Sequence, residues 1–251
     1  MGSRPATAGR VRAHQRDGVA VEGTNKQGAR RRPKPATPVA PEAAVKLVAV
    51  AKSYGKTPVL KGLNLVVSQG ELLEVTGPSG SGKTTLLRLV HGQLRPNAGE
   101  VWVRGRGLHR WWRRGLGGVR RDVAFVFQEQ RLLPRLNAFE NIVYAIQVRD
   151  PQLPSREITR RALEALDSIN LAHRRRAYPH ELSAGERQRV AVARALATKP
   201  RVVLADEPVA SLDADNAAIV MNLLEGAAAS GTTVIVASHH HTFAASRVRG
   251  A

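Results

Sequence analysis

Gly77-Pro78-Ser79-Gly80-Ser81-Gly82-Lys83-Thr84 follows the apolar segment Leu72-Leu73-Glu74-Val75-Thr76 and runs into Leu86, Leu87, Leu89 and Val90 at helical spacing. The order strand, glycine-rich loop, helix is the GxxxxGK(S/T) phosphate cradle. Its glycines permit a tight turn with the backbone amides pointing inward, at a helix N-terminus whose dipole favours an anion. Lys83 then reaches the β- and γ-phosphates, and the Thr84 hydroxyl, followed by Thr85, is placed to hold Mg²⁺. A nucleoside triphosphate is the implied ligand. The alternative, a flexible Gly/Ser loop that happens to precede a helix, leaves the Lys83-Thr84 pair and the flanking strand without a reason.

Composition bounds the class. The chain has 251 residues and 43% hydrophobic content, enough for one folded α/β domain with a sizeable core plus a tail. It contains no cysteine, which excludes disulfides, thiolate nucleophiles and Cys-based metal or iron–sulfur sites. No apolar run approaches the about 18 residues needed to cross a bilayer, and MGSRPATAGR lacks the apolar core of a secretion signal. Ala6 stands where a myristoylation motif needs Ser or Thr. Membrane attachment is therefore expected through a partner.

The net charge is +19, spread over both parts of the chain: nine Lys/Arg against three acids in residues 1–42, and 30 against 17 in the remainder. A nucleic acid or an anionic membrane surface would each exploit such a field without being specified by it, and a solvated, arginine-biased surface accounts for it equally.

Residues 1–42 are rich in Arg, Ala, Gly and Pro, lack aromatic residues and show no period of 2 or 3.6; a disordered basic tail is expected, with an organellar transit peptide as the lesser alternative. Strands are expected at 45–50, 100–103, 122–127, 202–205 and 233–237. Helices are expected from Ser155, where Ile158, Ala162, Leu166 and Ile169 share a face, and from Ser183; Asp213 looks like the cap of a third. Strands alternating with helices around a phosphate loop give an open, mostly parallel sheet with ligands at its carboxyl edge. Arg104 to Arg121 holds seven arginines, no acid and the pair Trp111-Trp112. Such a segment can bind nucleic acid by stacking and phosphate contact. The preferred reading is an insertion whose tryptophans dock on the domain, or on lipid headgroups beside a membrane partner.

Asp206 and Glu207 end the apolar run 202–205, bringing two carboxylates to the edge where the phosphate loop lies. Asp206 suits the metal and Glu207 the general base. Leu182-Ser183-Ala184-Gly185-Glu186-Arg187-Gln188 reads locally as a capping box, Ser183 with Glu186. Taken with residues 77–84, it resembles the LSGGQ signature of ATP-binding cassette (ABC) ATPases. Gln128, Ser211-Leu212-Asp213 and His239 fit the same pattern, so the chain from about residue 45 resembles an ABC nucleotide-binding domain. Within that superfamily, Phe127-Gln128-Glu129-Gln130-Arg131-Leu132-Leu133-Pro134 with Asn137-Ala138-Phe139-Glu140-Asn141 is similar to the bacterial cell-division ATPases of the FtsE type, and Arg131-Leu132-Leu133 is the discriminating run.

The resemblance implies an α/β P-loop NTPase domain over 43–251, with a mostly parallel core sheet and a helical subdomain at about 129–190. It implies that Tyr54 stacks on adenine, that Gly77, Pro78, Ser79, Gly80, Ser81, Gly82, Lys83, Thr84 and Thr85 bind the phosphates of ATP, and that Thr84, Gln128 and Asp206 hold Mg²⁺. Catalysis falls to Glu207, His239, Gln128 and Lys83. Ser183, Gly185 and Gln188 act on the nucleotide of a second copy, and Asp213 sits across that homodimer interface. The choice of His239 within His239-His240-His241 rests on its place after Ser238, and a metal-binding triplet is the weaker alternative. Ala184 departs from the signature glycine and Val209-Ala210 from a small polar pair; the chain ends 12 residues past His239, which puts C-terminal packing in question. Expected partners are a transmembrane FtsX-like or permease subunit and an anionic membrane surface, on the cytoplasmic face of the cell membrane; nucleic acid is disfavoured. The alternatives are a lipoprotein-releasing or macrolide-export ATPase, and a soluble nucleic-acid-associated ATPase.

Overall fold

The computed structural model describes residues 43–108, 117–239 and, by backbone, 246–249. The expected tail over 1–42, Trp111-Trp112 and His240-His241 lie outside the described residues. The strands are β1 (Ala43–Tyr54), β2 (Thr57–Ser68), β3 (Leu72–Thr76), β4 (Ala98–Val103), β5 (Arg106–Gly107), β6 (Val123–Val126), β7 (Val202–Asp206), β8 (Thr233–Ser238) and β9 (Ser246–Arg249). The helices are α1 (Lys83–Val90), α2 (Gly117–Asp122), α3 (Ala138–Arg149), α4 (Ser155–Ser168), α5 (Ala184–Ala197) and α6 (Ala214–Ala229).

A continuous apolar strand has two faces to bury, and β7 and β8 bury both. Val202, Leu204, Ile235 and Ala237 join Leu73 and Val75 on one face of a parallel sheet ordered β6-β7-β8-β3-β9, against Leu86, Leu87, Leu89 and Val90 of α1. The alternate residues Val203, Ala205, Val234 and Val236 pack on the other face against Val192 and Ala195 of α5 and Val220 and Leu224 of α6. Val190 and Ala193 of α5 turn the opposite way, to a helical layer with Ile142 and Ile146 of α3 and Ile158, Ala162 and Leu166 of α4. Helix α5 therefore joins the sheet to the helical layer, and its apolar residues on more than one side are the consequence.

The segments 45–50 and 100–103 are strands as expected, but they leave the parallel sheet. They belong to a second, antiparallel sheet ordered β2-β1-β4-β5 that covers α1 from outside. The expected strand at 122–127 is shorter, because Asp122 closes α2.

Asn141, 0% exposed, fastens the segment that follows Gln128. Its Nδ2 donates to the carbonyls of Leu133 (3.1 Å), Leu136 (2.8 Å) and Asn137 (3.1 Å), and its Oδ1 accepts from the Leu133 amide (2.8 Å). Asn141→Ala leaves these buried groups unpaired, and a stability loss of about 3 kcal/mol is expected in urea unfolding. A loss within about 0.5 kcal/mol, the range of an ordinary surface change, would show that water replaces the amide freely.

Candidate active site

The phosphate loop joins β3 to α1. Gly82 caps α1 in the left-handed region (φ 95°) without a side-chain cap, so the first-turn amides are left for an anion. A Cβ there would meet Val59 Cγ1 at 2.9 Å, so glycine answers both the backbone and the space. Lys83 is buried, with Nζ donating to the carbonyls of Gly77 (2.7 Å) and Pro78 (3.1 Å). The Ser81 hydroxyl is buried with no protein partner among the described residues. Orphan amides, an unpartnered hydroxyl and an ammonium converging on one loop fit a polyphosphate.

Strands β6, β7 and β8 bring the remaining groups to the same sheet edge. Thr84 Oγ1 donates to Asp206 Oδ1 (3.0 Å), joining loop and strand. Burial pushes the Asp206 carboxyl up, partly offset by that hydrogen bond; a cation at this pair would favour the ionised form. Among the described residues no group of three His, Asp or Glu can hold a metal alone. One carboxylate and one hydroxyl beside a phosphate site instead match the way Mg²⁺ is held, with substrate oxygens completing the shell.

Glu207 is the hub of the edge. His239 Nε2 lies 2.7 Å from its Oε1, and Gln128 Nε2 donates to its Oε2 at 3.3 Å. Its backbone is left-handed (φ 49°) and is fixed by its amide, which donates to the Ala237 carbonyl (2.8 Å). A non-glycine residue held in this region is strained, and the strain aims the carboxylate. Tyr54, 47% exposed, ends β1 beside α1, its hydroxyl 3.5 Å from Thr85 Oγ1. Lys52 Nζ lies over its ring, 5.6 Å from the centroid.

Ser183 caps α5 as the sequence indicates: its hydroxyl accepts from the Glu186 amide (3.1 Å) and its own amide donates to Glu186 Oε2 (2.8 Å). No hydrogen bond among the described residues links 183–188 to the phosphate loop. Gln188, expected to act on the nucleotide of a second copy, is 3% exposed and donates to the Pro208 carbonyl at 3.0 Å, so within this chain it braces the turn after Glu207. The fold brings Pro208 under α5, where a side chain one turn beyond the cap points inward.

Asn216 escaped the sequence reading. Asp213 caps α6 by accepting from the Asn216 amide (2.8 Å), and both its oxygens accept from Asn216 Nδ2 (2.8 and 2.7 Å). These bonds hold the Asp213 carboxyl below its ordinary value. The locked amide lies over Gly185, where a Cβ would meet Asn216 Cγ at 2.7 Å. A side chain at 185 would therefore have to displace the Asn216 amide from Asp213, and the N-termini of α5 and α6 adjoin.

A family model described as ABC transporter matches residues 60–210. The chain belongs to the ABC transporter family. The cell division ATP-binding protein FtsE of Streptococcus pneumoniae is 41% identical over 177 residues, 70% of this chain and 76% of that protein. The lipoprotein-releasing system ATP-binding protein LolD of Bacteroides fragilis is 42% identical over 173 residues, 68% and 79% of the two chains. The ABC fold is matched by the dimeric structure of the ATP-binding cassette MJ0796 in a post-hydrolysis state bound to ADP and Pi, with a TM-score of 0.72 and 37% identity over 78% of this chain and 88% of that one. This chain is accordingly an ABC ATPase, with the cassette architecture of a parallel core sheet and a helical layer.

Proposed function

We propose that this ABC ATPase works as a homodimer that closes head to tail on two Mg·ATP and passes its opening to a transmembrane partner, in the manner of an FtsE-type cell-division ATPase on the cytoplasmic face of the membrane. The observation that carries the chemistry is the Glu207 cluster. Gln128 and His239 fix its two oxygens beside the phosphate loop, so Glu207 is poised to accept the proton of an attacking water. Lys83 holds the β- and γ-phosphates, and Thr84 and Asp206 hold the metal. Bound Mg²⁺ neutralises charge shared by the β- and γ-phosphate oxygens. Ser183 and Gly185 present a capped helix N-terminus to the γ-phosphate of the second copy.

A membrane partner is supported by the surface of the helical layer. Tyr144 (51% exposed) and Val148 (61%) stand one turn apart on α3, and Val148 lines a groove with Phe125, Ala145, Arg120, Arg121, Arg149 and Arg194. No helix among the described residues is long and apolar enough to cross a membrane itself. The FtsE-type reading rests on the run Arg131-Leu132-Leu133 and on the Streptococcus pneumoniae relative. A lipoprotein-releasing role is the second reading, favoured by the equally similar Bacteroides fragilis protein.

The test is affinity purification of the tagged full chain from its own membranes. An FtsX-type membrane protein is the expected partner, recovered about tenfold less with Tyr144→Glu/Val148→Glu, as removal of an aromatic anchor implies. A lipoprotein-releasing permease in its place would move the protein to the second reading.

A further inference from the structure

Arg194 lines the groove beside α3 but has no part in the nucleotide chemistry given above, and its surroundings are specific. It lies three turns along α5 from the Ser183 cap, roughly 16 Å at the helical rise. Its Nη1 donates to the Arg131 carbonyl (2.8 Å) and its Nη2 to the Gln130 carbonyl (3.0 Å). The fork of the guanidinium thus grips two consecutive main-chain oxygens. Both gripped residues have left-handed backbone, Gln130 at φ 39° and Arg131 at φ 48°, a conformation that residues with a Cβ keep only when their surroundings impose it. The turn is drawn tighter by the Arg131 amide donating to the Glu129 carbonyl. The Arg131 guanidinium lies 4.0 Å from the Phe127 ring centroid, and Phe127 stacks on Phe125 of β6 at 4.3 Å. Burial lowers the Arg194 pKa from its ordinary value, and the acceptors its guanidinium meets among the described residues are these two main-chain oxygens.

We propose that Arg194 is the positioning residue that couples the two halves of the active site. It ties α5, whose N-terminus faces the nucleotide of the second copy, to the strained turn that carries Gln128. Movement of α5 as the dimer closes is then delivered to Gln128 and, through its bond to Glu207, to the general base. The proposal rests on the roles given above to Gln128 and Glu207.

The test is a double-mutant cycle on ATP turnover by the full chain, with Arg194→Gln, Gln128→Ala and the pair. Each single change is expected to lower kcat by about ten- to a hundredfold, the cost of a small misplacement, with KM within about twofold. The pair should be no slower than Gln128→Ala, because Arg194 acts through Gln128. Arg194→Lys, which keeps the charge and one prong, should recover part of kcat, and it carries the cycle if Arg194→Gln does not fold. Losses that multiply in the pair would make Arg194 a structural residue and overturn the proposal. Normal turnover in Arg194→Gln beside a slow Gln128→Ala would overturn it too, while leaving the role of Gln128 intact. Normal turnover in Gln128→Ala would remove the reading of Gln128 and this proposal together.

Discussion

Glu207→Gln should bind Mg·ATP with unchanged affinity and turn it over at least about 100-fold more slowly, the lower end of what a positioned general base contributes. The phosphate loop is untouched by the change, since Lys83, Thr84 and Asp206 keep their contacts with one another and with the loop. What is lost is the proton acceptor. In glutamine one of the two oxygens that meet Gln128 and His239 becomes an NH2 donor, so in the present geometry one of those two contacts is lost. The blocked step leaves the closed dimer populated. Sizing chromatography with Mg·ATP should show a stable dimer beside a phosphate-release assay near background. Turnover at the wild-type rate would take Glu207 out of the mechanism.

Lys83→Ala should abolish binding at micromolar ATP. The ammonium is desolvated and points at the loop carbonyls, where charge-assisted bonds to phosphate oxygens are worth several kcal/mol, so Kd should rise about 100-fold or more. Ser183→Arg should behave oppositely, with Mg·ATP binding close to wild type and hydrolysis lost. Ser183 makes no hydrogen bond to the phosphate loop of its own chain; its bonds close the α5 cap. Titration calorimetry separates the two variants.

The site was legible where its signal is local. The phosphate loop is a covalent run of eight residues, the Ser183 and Asp213 caps are written within four, and β7 and β8 are unbroken apolar strands. Lys83, Gln128, Asp206, Glu207 and His239 meet because four parallel strands end at one edge, which the alternation of strands and helices already implies. Strand β2 was hidden: Pro58, Gly62 and Asn64 interrupt its pattern, most of its residues are exposed, and its register with β1 shifts repeatedly. Helix α3 shows no clean stripe, because Tyr144 and Val148 are exposed while Ile142 and Ile146 are buried. The inward turn of Gln188 and the grip of Arg194 depend on carbonyls 20 and more than 60 residues away. Nothing in a local window carries such partners.

The central claim is that each catalytic site is shared between two copies, the phosphate loop from one and the Ser183 helix cap from the other. Mixing Lys83→Ala with Ser183→Arg tests it most directly, because each protein is inactive alone and their heterodimer rebuilds one site with an intact loop facing an intact cap. Random pairing in a twofold dimer predicts phosphate release of up to about a quarter of the wild-type rate, rising and falling with the heterodimer fraction measured by differential tagging. Background activity in a mixture where tagged heterodimers are present would contradict the shared site.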